Sequence, residues 1–246
     1  MSQALIRKLQ NFVKLSATDQ RALERAGSER VRRIGPHEDI IREGDKPSSV
    51  MLIVDGWACR YKYLEDGRRQ IVGFFVPGDI CDLNIFLLKE MDHSIGSLTE
   101  VLIADISRES LEALMGVSQR IAQALWWDSL VSLAIQREWT INLGQRDAVE
   151  RMSHLFCEMF LRQQSAGRAQ TSGCEFPVTQ AELGDATGLS TVHVNRTLQQ
   201  MRSAEMITLH NKRLVIHDLD ALMRQAMFNP NYLHLGRDGA HLDAND

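Results

Sequence analysis

Between Val178 and Leu198 the sequence reads VTQAELGDATGLSTVHVNRTL, and the residue types fall where a helix-turn-helix needs them. Thr179 is placed to cap a first helix, with Glu182 three positions on to complete a capping box. Gly188 permits the sharp turn after Ala186 and Thr187, and Ser190 caps a second helix. Leu183, Leu189, Val194 and Leu198 are spaced to lock the two helices together. That leaves Thr191, Val192, Asn195 and Arg196 on the outer face near the start of the second helix, the part of such a motif that reads base edges in a major groove. Arg196 is expected to donate to a guanine, Asn195 to bond an adenine edge, and Thr191 and Val192 to meet methyl groups or to read no base. Thr179, Ser190, His193, Arg202, Lys212 and Arg213 are the candidates for phosphate contacts. The alternating stretch Ile207 to Ile216, turning at His210, Asn211 and Lys212, makes a wing. From Arg196 to Arg213 four basic residues stand against Glu205 alone, a local balance of +3. The chemistry here is hydrogen bonding and charge neutralisation, not bond making.

The rest of the chain must position these residues. At 246 residues it is long enough for two domains of roughly 150 residues or fewer. Hydrophobic residues are 44% and charged residues 24%, ordinary globular values that exclude a collagenous or largely disordered chain. The net charge of −4 puts no global basic field around the protein, so any contact with nucleic acid has to be local. No stretch approaches the ~20 apolar residues of a membrane span. Residues 1–10 lack the pattern of a secretion signal, so a cytoplasmic location is expected. Cys59, Cys81, Cys157 and Cys174 form no C-x-x-C pair, which favours reduced thiols over a zinc or disulfide site.

From Val31 to Ile106, short runs rich in Val, Ile, Phe and Tyr are broken every eight to twelve residues by Gly, Pro or Asp clusters, the rhythm of an antiparallel barrel. Asp66-Gly67 reads as a hairpin turn. Residues 80–94 break the rhythm with one or two expected helical turns. Ser16 and Asp19 cap a short lead-in helix ending near Ala26. A helical pattern then runs from Arg108 to Leu143, stopping at Gly144. Its apolar positions exceed one stripe, so one side packs on the barrel and the other needs a partner, most simply the same helix of a second subunit. Ile121, Leu125, Leu130, Ala134 and Ile141 are the expected dimer contacts. A further helix covers residues 147–163, and the last residues, from Pro230, read as a polar, frayed tail.

With these residues in view, the chain resembles bacterial transcription regulators of the Crp/Fnr family from about residue 10 to 225. Pro36–Gly44, Val50–Gly56, Gly73–Asp79 and Val178–Ile216 carry the resemblance. It implies an α+β architecture in four parts: residues 1–107 a cyclic-nucleotide-binding-like jelly-roll sensor, 108–143 a dimerisation helix and hinge, 144–229 a winged helix-turn-helix, and 230–246 a tail. Asn142 and Gly144 would form the hinge. It further implies a homodimer on a palindromic operator of double-stranded DNA, contact with RNA polymerase, activation more than repression, no enzymatic activity, and no membrane association.

Departures from the family pattern bear on the effector. Members that bind cyclic AMP use a Gly-Glu-Leu turn for the ribose and an Arg-Ser pair for the phosphate, where this chain has Cys81-Asp82-Leu83 and His93-Ser94. A histidine cannot replace the bidentate, permanently charged arginine fork, which argues against cyclic AMP. Cys81, Asp82, His93 and Ser94 are nevertheless the candidate effector pocket. The iron-sulfur branch has cysteines near its N-terminus, and none precedes Cys59 here. Haem ligation by His37, Cys59, Cys81 or His93, and thiol gating through Cys59 or Cys81, stay open beside an unidentified effector or none. No cofactor or metal is expected. A cupin-like metalloenzyme would need two histidines one residue apart with a nearby acid, and the barrel offers His37 and His93 alone.

Overall fold

The computed structural model describes residues 3–83 and 85–236. Two helices open the chain, α1 (Gln3–Leu9) and α2 (Ala17–Ala26). The second starts where Ser16 accepts from the Asp19 amide and Asp19 returns the bond to the Ser16 backbone, the expected capping box. The first was not legible in advance. It is held by burial of Leu5, Ile6 and Leu9.

Eight strands follow: β1 (Val31–Ile34), β2 (Asp39–Ile41), β3 (Val50–Asp55), β4 (Ala58–Tyr63), β5 (Arg69–Phe75), β6 (Ile80–Cys81), β7 (Ser94–Ser97) and β8 (Val101–Ile106). They make two antiparallel four-stranded sheets, in the orders β1-β8-β3-β6 and β2-β7-β4-β5. That arrangement is the expected jelly-roll. Between β6 and β7 the expected helix shrinks to a 3₁₀ turn, Ile85–Leu87.

Ser107 and Ser118 cap α3 (Arg108–Val117) and α4 (Gln119–Gln145). Asp147, in a second capping box with Glu150, starts α5 (Ala148–Ser165). The C-terminal part continues with β9 (Gly173–Glu175), α6 (Gln180–Thr187), α7 (Thr191–Ser203), β10 (Ile207–His210), β11 (Arg213–Ile216) and α8 (Leu219–Gln225), and its small sheet runs β10-β11-β9. The two parts share one core. A file of edge-to-face aromatic pairs, Trp139–Phe74–Trp57–Phe176–Phe156, runs from α4 through the barrel to α5, with ring centroids 5.2–6.2 Å apart.

Three expectations are corrected. Ile121, Leu125 and Ala134 lie in the chain's own core, because the inner face of α4 packs on the barrel, where Gln136 donates to the Val72 carbonyl. They are closed to a second subunit, whereas Leu130 and Ile141 are exposed, together with Trp126 and Leu133. Gly144 does not stop the helix, which runs on to Gln145; the break comes at Arg146, whose ψ of 144° is extended. Finally, residues 230–236 are not frayed. Pro230–Leu233 forms a 3₁₀ turn with Leu233 buried, and the Tyr232 hydroxyl donates to Glu158 at 2.9 Å. Residues 237–246 of the expected tail lie outside the described residues.

A buried charge network joins these pieces. Asp79, after β5, accepts from Lys8 of α1 at 2.8 Å and from Arg162 of α5 at 2.7 Å. Lys8 also reaches Asp128 of α4 at 2.6 Å, and Arg162 reaches Glu158 at 3.2 Å. Burial alone would raise the Asp79 pKa, but the flanking Lys8 and Arg162 bring it below the ordinary value. For Asp128 and Glu158 burial prevails over their cationic neighbours and raises the pKa.

Nearby, His154 is 1% exposed. Its ring stacks on Tyr232 and tilts against Phe228. Burial, helped by the adjacent Arg146 guanidinium, lowers its pKa to about 3, although Glu138 Oε2 lies 3.4 Å away. The imidazole is therefore neutral in the folded protein. An unfolded histidine takes a proton near pH ~6.5, so acidification below that value favours the unfolded chain, at up to roughly 1.4 kcal/mol per pH unit. Urea unfolding of wild type and His154→Phe between pH ~7 and ~5 should show a fall in stability that the variant largely lacks. Parallel pH profiles would contradict a neutral buried His154.

Candidate nucleic-acid interface

The α6–α7 unit is built as its residues dictate. Thr179 accepts from the Glu182 amide, and Glu182 accepts in return from the Thr179 backbone and hydroxyl, at 2.7–3.2 Å. Gly188 closes α6 in the left-handed region at φ 67°, its N–H donating to the Gly184 carbonyl. At Gly184 a Cβ would stand 2.6 Å from the Leu189 carbonyl oxygen, so the turn can cross the helix only over a glycine. Ser190 caps α7 by accepting from the His193 amide. Leu183, Val194 and Leu198 are fully buried between the helices, with Leu189 partly buried beside them.

The outer face is as expected. Thr191 and Arg196 are exposed, Asn195 is half-buried, and Val192 is 81% exposed, an apolar side chain with no partner in the chain. The wing turns on Asn211 and Lys212, both at positive φ (48° and 59°), the geometry of a tight two-residue hairpin. His210 belongs to the strand. Among the candidate phosphate ligands, Lys212 is exposed at the wing tip. Arg202 pins the wing through the Leu209 carbonyl, and Arg213 donates to Gln170. The Thr179 amide and hydroxyl are already committed to Glu182, and Ser190 Oγ to its own helix.

Two contacts fix the orientation of the unit, and neither was legible in the sequence. At the hinge, Arg151 of α5 donates to the Leu143 and Arg146 carbonyls at the end of α4 and to the Thr187 carbonyl at the end of α6. One guanidinium thus closes the ends of two helices. Asn142, expected here, contributes by donating to the Arg151 carbonyl at 3.2 Å, while Gly144 touches nothing that a Cβ would meet. On the barrel side, Arg69 at the start of β5 pairs with Asp185 of α6 at 2.8 Å, and Gln70 donates to the Asp185 carbonyl at 2.6 Å.

The candidate effector residues are partly assembled. Asp82 and His93 meet at 2.9 Å, and His93 also meets Asp92 at 2.6 Å. Arg60 of β4, notable in the sequence only as the neighbour of Cys59, pairs with the other Asp82 oxygen and lies 5.0 Å over the Phe75 ring. Arg60 and Asp82 line a cavity of about 220 Å³ against Asp128, Ser129, Ser132 and Gln136 of α4. Cys81 is buried away from it in the sheet, and Ser94 is spent accepting from the Glu43 amide. All four thiols are buried. Burial pushes Cys59, Cys157 and Cys174 up to about 12 and raises Cys81 as well, opposite to the shift a reactive thiolate needs. Among the described residues no group of three His, Cys, Asp or Glu converges as a metal site, and no helix is long and apolar enough to cross a membrane.

A jelly-roll barrel, a long helix and a winged helix-turn-helix together define a two-part DNA-binding regulator. Comparison with known proteins agrees. Residues 31–117 match the cyclic nucleotide-binding domain family, and residues 150–225 match the Crp-like helix-turn-helix domain family. The chain is 27% identical over 193 residues to the transcriptional activator protein FnrL of Cereibacter sphaeroides, covering 77% of each chain. It is 25% identical over 189 residues to the nitrogen fixation regulation protein FixK of Azorhizobium caulinodans, covering 76% of this chain and 75% of that one. Its fold superposes on FixK2 of Bradyrhizobium japonicum with a TM-score of 0.70 at 25% identity, covering 79% of this chain and 96% of that one. The chain belongs to the Crp/Fnr family of transcription regulators. Its relatives are regulators and not enzymes.

Since Arg151 satisfies three carbonyls at two helix ends, replacing it by methionine should cost ~2 kcal/mol of stability. Denaturant unfolding measures this directly, and a loss below ~0.5 kcal/mol would show that the staple carries no net weight.

Proposed function

We propose that the chain acts as a homodimer on a palindromic operator, each subunit placing the start of α7 in a major groove and the wing on the flanking backbone. The observation that carries this reading is the outer face of α7, where Thr191, Val192 and Arg196 are exposed beside the half-buried Asn195. Arg196 donates to a guanine in each half-site, and His193, Arg202, Lys212 and Arg213 lie against phosphate. Activation, through contact with RNA polymerase, follows the relatives named as activators. The functional parts are the barrel through residue 107, the helices to Gln145, and the DNA-binding part from Asp147 through the residue 230–236 segment.

The dimer seam is the outer face of α4. Trp126, Leu130 and Leu133, spaced four and three residues apart, and Ile141 one turn beyond Arg137 form an exposed apolar line along the helix. Such a line is the usual seam of paired helices. A two-fold dimer paired there would present two α7 helices related by its axis, the symmetry that a palindromic pair of half-sites requires.

The barrel is read as operating without cyclic nucleotide. Arg60, the one cation among the described residues that line its cavity, is already paired with Asp82, and Asp128 adds a second carboxylate. A cyclic phosphate entering there would face two acids and an occupied guanidinium.

Selection from a random duplex pool with purified protein, at stated salt and without additives, tests the central reading. A two-fold palindrome should be enriched, and Arg196→Ala should lower affinity for it by roughly tenfold or more per half-site while leaving the dimer intact. Unchanged affinity would sink the assignment of α7. Leu133→Asp should convert the dimer to monomer in sedimentation or light scattering and weaken operator binding with it; a variant that stays dimeric places the seam elsewhere.

A further inference from the structure

The side chain of Gln180, the first residue of α6, crosses to α7, where its Oε1 accepts from Asn195 Nδ2 at 3.1 Å. Both residues are half-buried, at the edge of the exposed face formed by Thr191, Val192 and Arg196. The Thr179–Glu182 capping box immediately before it fixes the start of α6, so Gln180 projects from a held backbone.

The accounting of donors and acceptors on Asn195 then becomes specific. A primary amide has two N–H donors and one carbonyl oxygen. Free in solvent it can present either edge by rotation about its last torsion. The bond to Gln180 favours the orientation that commits one N–H to α6, leaving the second N–H and the C=O of Asn195 as one donor and one acceptor for a base. That pair complements adenine in the major groove, whose N7 accepts and whose N6 amino group donates. Guanine presents two acceptors there and would set its O6 against the Asn195 oxygen. Gln180 in turn keeps its own amide N–H groups, placed at the N-terminal end of α6 and able to donate to a backbone phosphate.

We propose that Gln180 is a positioning residue that orients Asn195 to read an adenine in each half-site, coupling that base contact to the DNA backbone. The proposal rests on the DNA-reading role of α7 and adds to it both the base that is read and the residue that sets the reading geometry. It also separates two routes to specificity on one helix. Arg196 is exposed, flexible and charged, and reads guanine through its own fork. Asn195 is short and neutral, and discriminates only when its amide is held.

The test begins from the palindrome selected by the wild-type protein. Affinities are measured with each half-site position substituted, and with 7-deazaadenine, which lacks the N7 acceptor, replacing each adenine. The expected result is an adenine at which guanine or 7-deazaadenine weakens binding roughly tenfold per half-site, a penalty that Asn195→Ala abolishes. Gln180→Ala should reduce the penalty at that same position to a few-fold, leaving the guanine preference that depends on Arg196 and the thermal unfolding midpoint unchanged. Gln180→Glu keeps the acceptor for Asn195 but adds a negative charge. It should retain the adenine preference while weakening binding to all sequences alike. An adenine penalty untouched by Gln180→Ala, or an Asn195→Ala variant with wild-type base preferences at every position, overturns the proposal and leaves the DNA-reading role standing. Failure of the wild-type protein to enrich any palindrome overturns both.

Discussion

The Asp79 carboxylate is the constraint on which the arrangement of the chain depends. It sits at the end of β5 with one oxygen on Lys8 and the other on Arg162 and on the Val76 amide. An ion removed from water costs several kcal/mol unless partners satisfy all its lone pairs, and this one is satisfied only when α1, the barrel and α5 are all in place. Lys8 and Arg162 then carry the same condition outward to Asp128 of α4 and Glu158 of α5. Glu158 in turn takes hydrogen bonds from Trp139 and Tyr232. Removing any one of these partners would leave a buried charge uncompensated, which is strongly destabilising even where the intact network adds little net stability.

That fixed arrangement settles which face of α4 is left for a partner. The inner face is committed to Lys8, to the barrel and to the aromatic file through Trp139 and Phe74. The line from Trp126 to Ile141 stays open because no element among the described residues covers it. The residue 230–236 segment lies alongside, with Trp127 against His234 at 4.9 Å, so it flanks the open line without covering it. From the far end of α4, Arg151 binds the last carbonyls of that helix and the end of α6. The direction of α4 is thus transmitted to α7 through hydrogen bonds to backbone, which tolerate less rotation than packing alone.

How far the sequence was legible follows from whether each feature is encoded locally. The helix-turn-helix, its three caps and the wing are written in contiguous residues, Thr179 to Ile216, and the structure reproduces them almost residue by residue. The strand rhythm of the barrel was likewise readable from turn residues at short intervals. The helix at Gln3–Leu9 was not, because its stability comes from burying Leu5, Ile6 and Leu9 against distant elements. The same limit affected α4. Its apolar residues exceed one stripe, but which of them face inward depends on where Lys8 and Phe74 lie, and a helical period cannot state that. Tyr232 and Leu233 were masked by polar neighbours although both are anchored. Arg60, Arg69 and Arg151 stand in ordinary sequence contexts, and only the fold shows that each has a carboxylate or a set of carbonyls waiting.

The barrel cavity obeys the same rule of self-satisfaction as Asp79, and this bears on regulation. Arg60 is held by Asp82, and Asp82 by His93, whose other nitrogen meets Asp92. A ligand shifts a conformational equilibrium only by its difference in affinity between two states. An anion entering this cavity meets a guanidinium already neutralised through one Nη by Asp82 and competes with that carboxylate for its charge, so part of its binding free energy is offset before any is available to move the head. A cation would meet Asp82 and Asp128 but also the guanidinium that lies between the barrel and α4. Arg60, Asp82, His93 and Asp92 thus pair with one another within the chain, and Asp79, Arg69 and Arg151 tie the DNA-binding part to the barrel and to α4 through charged contacts and hydrogen bonds to backbone.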